Sequence, residues 1–423
     1  MHDPRLLREG VDTLREGMRR RGRLDLLPVV DRAAALDRER RAAIQAVEER
    51  KAARNAASQE VARFKKSGQD ASALIEQTRA LGDEIARLER ELAASEAELS
   101  ALMLELPNVT FAEVPAGGEE HNVVLRSWGT PRDEEGLLPH WEIGERLGML
   151  DLARGAKIAG SGFPLLRGGG ARLTRAFISF MLDVHTREHG YEELWVPLLV
   201  NRASATATGH LPKFEEDMYA VRDEELFLVP TAEVPITSLM RDELLDGARL
   251  PLGFAAYTPC FRREAGAHGK DTRGLLRVHQ FDKVELVWYT TPEQAAEQHE
   301  RLTAHAETIL QRLGLPYRVV LLASGDTGFS SAKTYDLEVW APGVRKWLEV
   351  SSCSIFTDFQ ARRANIRFRP GPGEKPRFVY TLNGSGVAFA RTMAALLEQY
   401  QEEDGTVRVP EGLRPYLGAD TLG

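Results

Sequence analysis

Residues 28–106 constrain the fold more than any other stretch, because they read as two long helices that need each other. The segment is rich in Ala, Leu, Glu and Arg, with little Gly or Pro in its interior and few aromatics. That is long-helix composition. In its second half Leu74, Thr78, Leu81, Ile85, Leu88, Leu92, Ser95, Leu99 and Leu102 recur in alternating steps of four and three, the seam spacing of a supercoiled helix. In the first half Val29, Ala33, Leu36, Arg40, Ala43, Val47, Arg50, Arg54, Ala57, Val61 and Phe64 keep those steps, with small or charged residues at several seam positions. Between them SGQD, residues 67–70, supplies a helix stop, a turn and a new N-terminal cap. The expectation is an antiparallel hairpin of two helices of roughly 36 residues, about 50 Å long at 1.5 Å per residue. Such an arm is too thin to be a core, so it projects from a separate body.

The first arm helix carries Arg32, Arg38, Arg40, Arg41, Arg50, Lys51, Arg54, Arg63, Lys65 and Lys66, whereas the second is acidic. A basic stripe of this kind can follow a phosphate backbone, or it can simply pair with acids across the hairpin; sequence leaves both open. RRRGR at 19–23 reads as an ordinary solvated face in a chain where arginine outnumbers lysine. A net charge of −8 argues against nonspecific nucleic-acid binding as the main activity. Cys260 and Cys353, the two cysteines, lie too far apart in sequence to frame a disulfide scaffold or a cysteine-rich zinc site. The first twenty residues contain no secretory apolar run, and no stretch approaches the roughly 20 apolar residues that span a bilayer. These features lead us to expect a cytoplasmic protein without a membrane partner.

After Leu106, PNVTFAEVPAGGEEHN reads as a linker, dividing the chain into 1–106, with the arm at about 28–106, and 107–423. In the second part short apolar runs (EELWVPLLV, ELFLVP, DKVELVWY, YRVVLL, YDLEVWAP, RFVYTL) alternate irregularly with helical stretches near 171–188, 232–246, 292–313 and 386–402. The strands cluster without regular intervening helices. The expected class is therefore α+β, a mainly antiparallel sheet flanked by helices.

Familiar nucleotide signatures are missing. GAHGKD at 266–271 lacks the first glycine of a phosphate loop and has Asp271 where a hydroxyl belongs, and GSGVAF at 384–389 is no dinucleotide fingerprint. There is no serine nucleophile elbow and no paired-histidine zinc helix. Phosphate handling would then fall to arginines. FRREAGAHGKDTRGLLRVHQFDKVE, residues 261–285, supplies them: one strand leads in through Tyr257 to Phe261, and a second returns from Val278 through Phe281 to Val287. Four residues apart, Phe281 and Glu285 share a face. An arginine can grip a phosphate with two parallel hydrogen bonds while an aromatic face stacks a base. A salt-bridged hairpin with no ligand has the same spacing.

The same segment resembles motif 2 of the class II aminoacyl-tRNA synthetases, in its seryl-specific form. TLNGSGVAFARTMAALLEQYQ, 381–401, resembles motif 3, and GYEELWVPLLVN, 190–201, resembles motif 1 with Pro197 as its proline. TGHLPKF (208–214), PTAEVP (230–235) and LEVSSCSIFTDFQARRANIRFR (348–369) are similar to further blocks of that family, so the likeness spans essentially the whole chain. It implies a class II synthetase catalytic domain carrying an N-terminal coiled-coil arm, and a serine–tRNA ligase reaction.

The resemblance also implies roles for individual residues. Thr231, Ala232 and Glu233 border L-serine, with Glu233 facing its ammonium group. Glu285 accepts from the serine hydroxyl, and Asn383 and Ser385 complete that pocket. ATP is held by Arg262 at the α-phosphate, Glu264 at the adenine edge, the Val278 backbone, Phe281 beneath the base, and Arg391 near the γ-phosphate or over the base. Arg263, Val350 and Ser351 belong to the same nucleotide-binding blocks. Arg262 and Arg391 are the catalytic pair, and Glu349 and Ser352 are ligands for Mg2+. The implied partners are tRNA(Ser), whose long variable arm the helical arm reads by shape, tRNA(Sec), and a second copy of the chain joined through motif 1.

Some residues invite stronger readings that their surroundings do not favour. His279 reads as a hydrogen-bonding strut, Cys353 as a small buried residue, and His185 with His189 as a helical pair lacking a third metal ligand. FQARRANIRFR, 359–369, fits a tRNA-facing surface and sheet-edge ion pairing equally. His210, Ile355 and Phe356 depart from the family pattern away from the substrate-gripping positions, and Arg263 departs from it within the nucleotide-binding block. Two rivals remain, an amino acid:carrier-protein ligase and a noncatalytic RNA-binding paralogue. The long arm counts against the first, and the presence of Arg262, Glu285 and Arg391 against the second.

Overall fold

A computed structural model describes residues 1–265 and 273–423, and the GAHGKD stretch lies outside the described residues. The chain forms two compact units, Met1–Pro107 and Asn108–Gly423.

In the first unit two long helices, α1 (Leu27–Lys66) and α2 (Ser72–Glu105), pair along their length. Every seam position expected on α2 is buried or half-buried, and so is every one on α1 except the exposed Arg50. The turn closes with Gly68 at φ +73°, a left-handed conformation that favours glycine. Asp70 Oδ1 then accepts from the Ser72 amide (2.9 Å) and hydroxyl (2.6 Å), one residue before the Ala71 N-cap of α2. Much of the basic stripe resolves into pairing across the hairpin: Arg32 with Glu98 (2.8 Å), Arg40 with Glu96 (2.9 Å), Arg50 with Glu84 (3.0 Å) and Lys51 with Glu89 (3.0 Å). Arg63, Lys65 and Lys66, in the last turn of α1, are exposed.

The second unit is built on an eight-stranded sheet. Its strands are β1 (Val123–Trp128), β2 (Glu192–Glu193), β3 (Leu252–Phe261), β4 (Gln280–Thr290), β5 (Tyr317–Leu321), β6 (Lys333–Ala341), β7 (Lys346–Ile355) and β8 (Tyr380–Ala388). Their spatial order is β1-β5-β6-β7-β8-β4-β3-β2, antiparallel throughout except for the β2–β3 edge. Helices α3 (Gly169–Arg187), α5 (Ala295–Arg312) and α7 (Phe389–Gln399) pack on this sheet, and α4 (Glu233–Ser238) and α6 (Phe359–Ala364) are short. Leu302, Ala306, Ile309 and Leu310 form the fully buried stripe of α5, the i, i+3/i+4 spacing of a helix laid on a core. Leu302→Ala should cost about 2–5 kcal/mol of stability, read as a lowered urea midpoint of the second unit.

Several expected boundaries shift. The helix expected over 232–246 stops at Ser238, because Asp242 adopts φ +64° and Leu244–Asp246 turns extended to pair with Arg367–Arg369. The returning strand starts at Gln280 rather than Val278, since the His279 amide is taken by Gly162 O at 2.8 Å. EELWVPLLV is extended only at 192–193 and 199–201. β1 was not marked by the sequence; all its residues are exposed, so no burial alternation betrays it. No helix among the described residues is long and apolar enough to cross a membrane.

Candidate active site

β3 and β4 form the hairpin that carries the charged segment, and its mouth is pinned by two bonds to the Arg262 main chain. Arg262 N donates to His279 O at 2.9 Å, while His279 Nδ1 bonds Arg262 O at 2.9 Å and its ring stacks on Phe163. His279 is thus a strut. Just beyond the strand, the Arg262 guanidinium lies 5.2 Å from the Phe281 ring centroid and donates through Nε to Pro230 O. Glu264 sits at φ +52°, and its Oε2 accepts from Arg277 Nη1 at 2.5 Å.

Strand alternation sends Phe281, Lys283 and Glu285 of β4 to one face, where all three line a cleft of about 380 Å³. Lys283 pairs with Glu285, and both side chains are nearly buried. Facing them, Thr231 and Glu233 stand at the start of α4. Glu233 Oε1 accepts from Gln360 Nε2 at 2.6 Å, and Thr381 Oγ1 fixes the other end of that amide at 2.7 Å. Burial, reinforced by the charge of Glu285, raises the Glu233 carboxyl from its ordinary 4.5 to about 7.

The sheet contributes Asn383 and Ser385 from β8 and Glu349 and Ser352 from β7. Residues 349 and 352 differ in parity and would ordinarily point to opposite faces. The ladder explains their agreement: Leu337 pairs with Ser351 and Glu338 with Glu349, so Val350 is the extra residue of a β-bulge. Arg391, in the first turn of α7, closes the cleft. Its Nε donates to Leu276 O at 2.9 Å, and its Nη1 to Glu349 O at 2.9 Å and Glu349 Oε2 at 3.1 Å.

One cavity therefore gathers Thr231, Glu233, Arg262, Glu264, Val278, Phe281, Glu285, Glu349, Ser352, Asn383, Ser385 and Arg391. Four side chains expected with them lie off its lining. Ala232 is buried in the apolar cluster behind α4 and Val350 in the main core. Ser351 turns beneath the sheet, donating to Ser385 O at 2.7 Å, and Arg263 is anchored by its amide to Asp217 O at 2.9 Å. Conversely, His210 and Phe356, expected away from the gripping positions, both line the cleft. His210 bonds Thr208 Oγ1 through Nδ1 at 2.8 Å, and burial pushes its pKa down to about 3, so it is neutral. Sequence reading also passed over Lys283, Gln360 and Arg277; the alternation 281-283-285 was the available signal for Lys283.

Cys353 is buried, and burial raises its thiol to about 12, which excludes a thiolate nucleophile near neutral pH. In the 359–369 run Arg362 pairs with Asp358 at 2.8 Å and Arg363 lies over Phe359. No group of three potential ligands capable of holding a metal through His, Cys, Asp or Glu occurs among the described residues.

Residues 214–400 match the tRNA synthetase class II core domain (G, H, P, S and T), and residues 1–110 match the seryl-tRNA synthetase N-terminal domain. The chain is 63% identical to the serine–tRNA ligase of Gemmatimonas aurantiaca, with all of both chains covered, and 52% identical to that of Carboxydothermus hydrogenoformans, covering 100% of this chain and 99% of that one. Among solved structures, seryl-tRNA synthetase from Pyrococcus horikoshii complexed with ATP superposes with a TM-score of 0.96 at 38% identity, covering 100% of this chain and 99% of that one. An antiparallel sheet with this cleft, together with these matches, makes the chain a class II aminoacyl-tRNA synthetase, an ATP-dependent ligase. Within that class it belongs to the serine–tRNA ligase family.

Proposed function

We propose that the cleft joins L-serine to ATP as seryl-adenylate and then passes the seryl group to the terminal ribose hydroxyl of a tRNA. The observation that carries this reading is the convergence of Arg262, Arg391 and Glu285 on one cavity. Arg262 grips the α-phosphate, and Phe281 and Arg391 bracket the adenine, with the Val278 backbone and Glu264 at its edge. A serine carboxylate oxygen bonds to the α-phosphorus in line as the bond to the bridging oxygen breaks, and pyrophosphate leaves with that electron pair. The attacking carboxylate is already ionised, so no general base is needed; position and charge compensation supply the rate. Glu349 and Ser352 are oxygen donors facing the cleft, a set that suits Mg2+. Bound there, Mg2+ would neutralise charge on the nucleotide phosphates.

Thr231, Glu233, Glu285, Asn383 and Ser385 seat the amino acid. Glu285, steadied by Lys283, takes the hydroxyl hydrogen bond; alanine would leave these groups unpaired, which can discriminate by about ten-thousand-fold. Glu285→Gln should therefore shrink the serine-over-alanine ratio of kcat/KM by at least tenfold, in keeping with the ~1.5–3 kcal/mol of a charged hydrogen bond. The direct test of the function is exchange of labelled pyrophosphate into ATP across a panel of amino acids. Serine alone should support it efficiently, without RNA; exchange with another amino acid and not serine would overturn the reading.

Glu233 gives this step a pH dependence. With its folded pKa raised to about 7, the carboxyl is mostly protonated below that pH. Its contribution to stability is complete below the ordinary 4.5 and is lost as pH rises through about 7. Serine's ammonium needs the ionised form, so serine affinity should fall as pH drops below 7, by up to about tenfold per unit, and level off above it. Calorimetric titration with serine from pH 5.5 to 8.5 should show this slope in the unaltered protein and none in Glu233→Gln.

The exposed cations at the end of α1 support a tRNA-reading role for the arm, with tRNA(Ser) and, through the family, tRNA(Sec) as substrates. Trp195, 87% exposed, with Leu198 and Leu199 beside it, supports a homodimer through the 190–201 segment. A cytoplasmic site of action fits two buried free cysteines.

A further inference from the structure

Asp336 on β6 stands directly opposite Ser352 on β7 in the cross-strand register. Opposed residues of an antiparallel pair project to the same face, and Ser352 lines the cleft, so Asp336 rises from the cleft side of the sheet. Its side chain is buried, and the carboxylates Glu349, Glu338 and Asp326 press on it electrostatically. Its Oδ1 has no hydrogen-bond partner among the described residues. One rung along the same ladder the contrast is plain: Thr334 and Ser354 satisfy each other, Oγ1 to Oγ, at 2.8 Å. A bare buried carboxylate oxygen is expensive, and a second carboxylate beside it adds to the cost. A cation bound at Glu349 and Ser352 would relieve both.

We propose that Asp336 is a positioning residue for the divalent cation of the cleft. Set opposite Ser352 in the ladder and next to the charge of Glu349, it orients the Ser352 hydroxyl so that its oxygen faces the cation. This rests on Glu349 and Ser352 being the cation's ligands. Partners of this outer kind typically change metal affinity 10–100-fold.

The readout is the factor by which Mg2+ tightens ATP binding, measured by calorimetry without serine in saturating Mg2+ and in EDTA. Asp336→Asn should cut that factor about 10–100-fold and leave the EDTA dissociation constant within about twofold. Its melting temperature should hold or rise, because the amide removes a carboxyl whose ionised form is disfavoured by burial and by neighbouring carboxylates. If Asp336→Asn does not fold, the smaller Asp336→Ser is read in the same way. Glu349→Gln separates the two claims. If Glu349→Gln loses the tightening and Asp336→Asn keeps it, the proposal for Asp336 fails and the cation ligands stand. If neither variant changes the factor, or Mg2+ does not tighten ATP binding in the unaltered protein, the ligand reading fails and takes Asp336 with it. Equal weakening of ATP with and without Mg2+ in Asp336→Asn would make the residue merely structural and overturn the proposal.

Discussion

Arg262→Ala should lower serine-dependent pyrophosphate exchange by about 10³-fold, the scale set by removing one preorganised charge from a phosphoryl-transfer site. The geometry makes this residue hard to replace. Its guanidinium rests over Phe281, and Nε is already committed to Pro230 O, so the two terminal nitrogens are aimed rather than free to swing. Arg262→Lys keeps the charge but loses the planar fork and the stacking, and should not restore exchange. The fold should survive both changes, because the mouth of the hairpin is held through the Arg262 main chain, its N–H to His279 O and its carbonyl to His279 Nδ1. An unchanged circular dichroism melt with exchange reduced is the expected pair of readings.

Deleting residues 30–100 should abolish tRNA charging, a loss of more than about 10³-fold, while leaving pyrophosphate exchange within about twofold. Two observations set this expectation. Every residue lining the cleft falls between Thr208 and Arg391, and the arm helices bury their seam mainly against each other. The arm's contribution to RNA binding is largely electrostatic, so it should weaken steeply with salt. Charging measured beside exchange in one preparation decides the point. Loss of both activities together would show that the arm serves the chemistry itself, contrary to the role proposed for it.

How much of this could be read from sequence depended on whether a residue's neighbours lie close in the chain. The arm was legible because its seam repeats for some ten turns, and only a helix pair buries such a stripe. Its charges were not: pairing Arg32 with Glu98 depends on register across a turn, which the heptads leave open. In the cleft, Phe281 and Glu285 were placed by parity alone, and Glu349 and Ser352 by resemblance, since their shared face comes from the bulge at Val350. That bulge also moves Ser351 off the lining. Gln360 reaches the site only through a residue far away in the chain, Glu233, and Asp336 only through its cross-strand register with Ser352. Nothing local marks them. His210 looked like a packing variant because its own segment says nothing of the cavity wall it joins.

A crystal structure with a non-hydrolysable sulfamoyl analogue of seryl-adenylate tests the central claim most directly. The account predicts adenine on the Phe281 ring with Arg391 across it, the sulfamoyl group against Arg262, and the serine hydroxyl within hydrogen-bonding distance of Glu285. An analogue bound with its seryl end away from Glu285, or with Arg262 and Arg391 on different ligands, would contradict it.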